Sequence, residues 1–138
     1  MAKTARDIMS AEPRVILSSA PIVEAARLMK DEDLGSLPVV HNDRVVGVIT
    51  DRDLVLRVLA AGLDPTETLV IEVASDKPVT VAVDAPLEEA LQLMSAHQIR
   101  RIPVVDGDRL VGMIAQADVA LLGKDKRTGA LVEDVSRP

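Results

Sequence analysis

The sequence contains no Phe, Tyr or Trp, no Cys, and only two His among its 138 residues. Without aromatic rings no nucleobase can stack on an aromatic side chain, and any core has to be built from Val, Leu, Ile, Met and Ala. Without thiols, disulfides and thiolate metal sites are excluded, and cysteine usage says nothing about redox compartment. His41 and His97 stand far apart with no ligand-like spacing, so no metal site is expected. No segment approaches the roughly 18 consecutive apolar residues of a membrane span. The opening Met1-Ala2-Lys3-Thr4-Ala5-Arg6-Asp7 has no apolar signal core. No membrane partner and a cytoplasmic location are therefore expected. Positive charge is also scarce: a net charge of −6 disfavours nucleic acid and leaves room only for a small, local basic pocket.

What is present is the balance of a folding domain, 48% hydrophobic and 28% charged. A shift of 65 residues lays positions 13–54 over 78–119 without a gap, and 16 of these 42 positions are identical. Chance does not produce such a match, so the chain is an internal duplication. In each copy a short β-branched run (15–18, 80–83) is followed by Pro21 or Pro86 in the first turn of a helix, with Ser19 and Asp84 as candidate caps. Ile22, Ala25, Ala26 and Met29, like Leu87, Ala90, Leu91 and Met94, recur at helical spacing and mark a core-facing stripe. Buried strands follow at 37–40 and 102–105, then turn-prone Asn42-Asp43 and Asp106-Gly107-Asp108, then returning strands at 44–50 and 109–115, each with an interior Gly. A last helix starts near Asp51 and near Gln116. The unit reads β-α-β-β-α, used twice, with another helical turn possible between 67 and 74. We place the first repeat with its N-terminal segment at 1–68, the second at 69–123, and a tail at 124–138 with room for one short helix. One such unit could hardly cover its own sheet, so the copies are expected to share a core.

Catalysis finds little support. No Ser, Thr or Lys is paired with an evident base, and no phosphate-binding Gly loop is present. Glu88-Glu89 and Asp31-Glu32-Asp33 point in different directions on a helix and read as a solvated face. No catalytic residue is expected, and the chain is read as a non-enzyme.

The Leu37-Pro38-Val39-Val40 and Ile102-Pro103-Val104-Val105 strands, with the later Gly47-Val48-Ile49-Thr50-Asp51-Arg52-Asp53, resemble paired CBS domains, the Bateman module. Ala5-Arg6-Asp7-Ile8-Met9 and Ala61-Gly62-Leu63-Asp64-Pro65 resemble its stand-alone bacterial members. The resemblance implies an α/β (α+β) tandem pair packed about a pseudo-twofold axis. It implies a regulatory module that binds an adenosine-containing ligand between the repeats: AMP, ADP or ATP first, with S-adenosylmethionine or NADH as other members of that class. It also implies a homodimer and an effector protein that this sequence does not name.

By the same resemblance, Thr50 and Asp53 would meet the phosphate and the ribose, helped by free N–H groups at the strand-to-helix junction. Val79, Val81 and Ile99 would sandwich the adenine, and Arg100 and Arg101 would face the phosphates. The alternative for the Arg pair is solvated charge at a helix end, and Asp53 taken alone is more often a helix cap or a surface carboxylate. A second, weaker site would hold Gly35, Ser36 and Asp118, because Ala115 replaces the Thr and the Arg pair is missing. The competing reading is a ligand-free adaptor with the same fold.

Overall fold

Alternation between β-branched runs and a 3.6-residue apolar period produces the same elements twice. The computed structural model describes residues 3–120. In chain order these form α1 (Ala5–Ile8), β1 (Ser10–Ala11), β2 (Ile16–Leu17), α2 (Ile22–Glu32), β3 (Ser36–His41), β4 (Arg44–Thr50) and α3 (Asp51–Asp53). A π-helical stretch, Leu54–Leu59, continues α3, and a 3-10 turn, Val70–Glu72, follows. Then come β5 (Val81–Ala82), α4 (Leu87–His97), β6 (Arg101–Asp106), β7 (Arg109–Ala115) and α5 (Gln116–Ala120). The expected tail at 124–138 lies outside the described residues. Among the described residues, no helix is long and apolar enough to cross a membrane.

The described residues divide into two compact units that do not follow chain order: 14–78 is one, and 3–13 with 79–120 is the other. In space, then, the segment at the start belongs with the second repeat, and residues 69–78 belong with the first.

In the 14–78 unit, β2 runs parallel to β3, and β3 antiparallel to β4. Its core gathers Ile22, Ala25 and Met29 of α2, Leu37, Val39 and Ile49 of the strands, and Val58, Val70 and Val73. The other unit repeats the pattern with β5, β6 and β7, adds β1 antiparallel to β7, and buries Ala5 with Leu87, Ala90, Leu91, Met94, Ile102, Val104 and Ile114. Each fully buried aliphatic side chain contributes about 1.5–3 kcal/mol, enough to build a core without aromatic rings.

Pro38 sits inside a central strand without cost. Its partner across the ladder, Val48, spends both backbone groups on Ser75 (3.1 and 2.9 Å), so the Pro38–Val48 pair is one that exchanges no hydrogen bonds. The hairpin turns fall at Asn42-Asp43, both at positive φ, and at Gly107-Asp108, one residue later than Asp106-Gly107.

Two expectations fail at the helix starts. Pro21 and Pro86 are the N-cap residues and not first-turn residues, and no side chain caps either helix, so Ser19 and Asp84 are not caps. The exposed donors are met instead by main chain from far along the sequence: Ile22 N–H donates to Thr68 O, Val23 N–H to Pro65 O, and Leu87 N–H to Lys3 O, each at 2.9 Å. β2 and β5 are only two residues long, shorter than 15–18 and 80–83, because the chain turns away immediately to reach these caps.

The segments that supply the caps are equivalent under the same 65-residue shift. Ala5 and Val70 are fully buried, and their N–H groups donate to Ala85 O (2.9 Å) and Ala20 O (2.8 Å). Arg6 and Ile71 N–H groups donate to Val83 O and Ser18 O. Asp7 accepts from Thr4 N–H at 2.8 Å, as Glu72 does from Leu69 N–H.

The close approach of Ser75 to β4 leaves no room for a side chain at Gly47, where an added Cβ would collide with the Ser75 carbonyl oxygen. At Gly112 the obstacle is the flexible Met9 side chain. Gly47→Ala should destabilise by about 1–3 kcal/mol and Gly112→Ala by clearly less, read from urea midpoints by far-ultraviolet circular dichroism.

Asp7 gives a second test. The Thr4 N–H, then its hydroxyl, hold the Asp7 carboxyl below its ordinary value of 3.8. A depressed folded-state pKa adds stability that is complete above the ordinary value and disappears as pH falls through the lowered one. A carbon-detected NMR titration should place the Asp7 midpoint below 3.8, and a Thr4→Gly variant should return it toward that value.

Candidate functional site

In each unit the ends of two antiparallel strands and the start of a helix converge, and most of the candidate residues sit at these junctions. In the 14–78 unit, the αL residue Asp33 ends α2, its N–H and that of Leu34 donating to Met29 O, and delivers Gly35 and Ser36 to the start of β3. Ser36 lies opposite Thr50, the last residue of β4, and Gly35 O accepts from Asp51 N–H at 2.9 Å. Gln98 plays the Asp33 part in the other unit and delivers Arg100 and Arg101 to β6. There Arg101 faces Ala115, and Arg100 O accepts from Gln116 N–H at 2.8 Å. The structure thus groups Thr50 and Asp53 with Gly35 and Ser36 in one unit. It groups Arg100, Arg101 and Asp118 with Val79, Val81 and Ile99 in the other.

Thr50 and Asp53 form a capping box. Asp53 N–H donates to Thr50 Oγ1 at 3.1 Å, and Thr50 N–H donates to Asp53 Oδ2 at 2.9 Å. The Thr50 hydroxyl proton, Asp53 Oδ1 and the spare lone pairs of Oδ2 stay available, and both residues are half-buried. The expectation of free N–H groups at this junction is not met: Asp51 N–H is taken by Gly35, Arg52 N–H by Asp51 Oδ1 and Asp53 N–H by Thr50. No main-chain donor of this first turn remains for an anion.

In the second copy only half the box exists. Ala115 N–H donates to Asp118 Oδ2 at 3.1 Å, and Ala115 has no side chain to return the bond. Arg100 is exposed and Arg101 half-buried, and among the described residues neither guanidinium has a hydrogen bond or an ion pair. Val81 is 2% exposed and belongs to the core, so it offers a ligand almost no surface. Val79 and Ile99 are half-buried against that core.

The Thr-x-x-Asp spacing was the legible signal here, and it serves a cap as well as a ligand site. Sequence reasoning missed Asp51, whose N–H ties β4's end to Gly35, because a main-chain bond leaves no residue-type signature. Among the described residues no group of three or more His, Asp or Glu could hold a metal ion.

A β-α-β-β-α unit used twice in one chain, each copy with an Asp-anchored strand-to-helix junction, defines a tandem-repeat module. The CBS domain pattern matches residues 5–60 and 70–123, and the chain belongs to the CBS-domain family. CBS domains are generally regulatory modules, and no catalytic family is indicated. Hypoxic response protein 1 of Mycobacterium tuberculosis is 42% identical over 118 residues, covering 85% of this chain and 82% of that protein. The CBS domain-containing protein YhcV of Bacillus subtilis is 42% identical over 116 residues, covering 84% and 82%. The crystal structure of Hypoxic Response Protein I with two coordinated zinc ions superposes with a TM-score of 0.79 at 41% identity, covering 86% of this chain and 98% of that one. That of CBSX2 in complex with AMP gives 0.74 at 26% identity, covering 86% and 94%.

The two boxes predict opposite responses. Thr50→Ala should lower stability by about 0.5–2 kcal/mol, while Ala115→Thr, which completes the second box, should raise it by up to about 1 kcal/mol in the same urea titration.

Proposed function

We propose that this protein is a cytoplasmic sensor of an adenosine-containing ligand, with AMP, ADP or ATP as the favoured class. The observation that carries this reading is binding capacity that the described residues do not use: the Thr50 hydroxyl proton and an Asp53 oxygen in one unit, and in the other two guanidiniums with no partner among the described residues. In a chain of net charge −6, such an Arg pair favours an anionic ligand. The contacts we propose for the ligand are Asp53 as acceptor for the ribose hydroxyls, Thr50 as donor to a phosphate, Arg100 and Arg101 for the phosphate charge, and Val79, Val81 and Ile99 for the adenine, with Gly35, Ser36 and Asp118 as the weaker set. The AMP complex of the structural neighbour CBSX2 supports the ligand class. We further propose that the module acts as a homodimer and passes its state to an effector protein.

The adaptor reading has one observation in its favour. Val55, Leu56, Leu59 and Leu63 are 53%, 48%, 77% and 44% exposed, an aliphatic surface suited to association. Calorimetric titration with AMP, ADP, ATP, NADH and S-adenosylmethionine separates the two. Saturable binding is expected, with Asp53→Ala weakening it more than about tenfold, or 1.4 kcal/mol, and Asp118→Ala leaving most of it. Silence from all five ligands favours the adaptor, and equal losses from the two variants refute the unequal pockets. With no Tyr or Trp to absorb, co-purified nucleotide should also be visible directly in the ultraviolet spectrum.

A further inference from the structure

The stretch 3–11 packs on a unit whose remaining residues begin only at Val79, after the whole of the other unit. We infer that this stretch is an exchangeable arm, and that the surface it covers on the 79–120 body is a docking site for the same arm of a second copy of this chain.

The contacts of the arm are almost all generic. Lys3 O caps α4, Ala5 and Arg6 donate to Ala85 O and Val83 O, and β1 pairs with Met113 and Gly112 of β7. The side chains that enter the core are Ala5, fully buried, with Ile8 and Met9 at its edge. All of these bonds form equally well when the arm comes from another molecule. The chain itself shows that this docking does not depend on the connecting segment. Residues 69–75 make the equivalent bonds on the 14–78 unit, yet there the segment is continuous with the unit it completes. The family pattern, by contrast, counts each such segment with the repeat that follows it, over 5–60 and 70–123.

A single connector, Glu12 at φ 54° followed by Pro13, joins the arm to the 14–78 unit. Redirecting that connector converts an arm docked within its own chain into one docked on a neighbour, with every arm contact preserved. The balance then depends on protein concentration against the effective concentration that the tether imposes, which is in the millimolar range for short tethers.

The absence of cysteine makes a direct test possible. Ser10 and Met113 are directly opposed across β1 and β7, and opposed antiparallel residues lie about 4.5–5.5 Å apart at Cα, within disulfide reach. Two single variants of different tagged size, Ser10→Cys and Met113→Cys, are refolded together under oxidising conditions from micromolar to millimolar concentration. We expect a mixed disulfide-linked pair on non-reducing gels, with a share that rises with concentration. The Ser10→Cys/Met113→Cys double variant at high dilution should close its bond within one chain. A mixed pair absent at every concentration overturns the exchange. Failure of the double variant to close overturns the docked arm on which the exchange rests.

Discussion

The N–H groups that open a helix must find acceptors, and in this protein the first N–H of each long helix finds its acceptor far along the chain. Pro21 and Pro86 occupy the cap positions and offer no side-chain oxygen, so Ile22 and Leu87 depend on carbonyl groups of Thr68 and Lys3. Everything else in each unit follows from that dependence. The supplying segment must lie along the helix start, which buries Ala5 or Val70 in the core and brings Ser10 or Ser75 alongside the returning strand. The interior glycines exist because of this last contact, since a Cβ at Gly47 or Gly112 would occupy the space that the segment fills.

The same economy governs the candidate site. Thr50 and Asp53, both half-buried, hold the start of α3 with one lone pair each, in a turn whose main-chain donors are all consumed. A ligand held here would meet side chains, not the free helix N-terminus that often binds phosphate. Arg100 and Arg101 stand at the equivalent junction of the second copy, with no partner among the described residues. Duplication therefore produced two similar junctions whose side chains diverged: one kept the hydroxyl and carboxylate, the other the carboxylate and two guanidiniums.

Much of the fold was legible because its signals are local. Of the stripe at Ile22, Ala25, Ala26 and Met29, all but the half-buried Ala26 enter the core as the spacing requires, and Leu87, Ala90, Leu91 and Met94 all do. The strands over 44–50 and 109–115 and the Asn42-Asp43 hairpin appear where alternation and turn chemistry put them, and the second hairpin falls one residue beyond Asp106-Gly107. The failures share one cause. Ser19 and Asp84 carry the right chemistry for a cap, but main chain from elsewhere reaches Ile22 and Leu87 first. A free helix N-terminus at Asp51 was a sound expectation until Gly35 O took its donor.

The sequence by itself determined the duplication, the element types, the aliphatic core and membership of the CBS-domain family, because periodicity and residue identity carry that information. Only the tertiary structure decided which body each capping segment completes, and that Thr50 and Asp53 bind each other's main chain. The physical reason is that these choices are made by backbone N–H and C=O groups. Nearly every residue carries the same pair, so no pattern of side chains marks which donor will meet which acceptor.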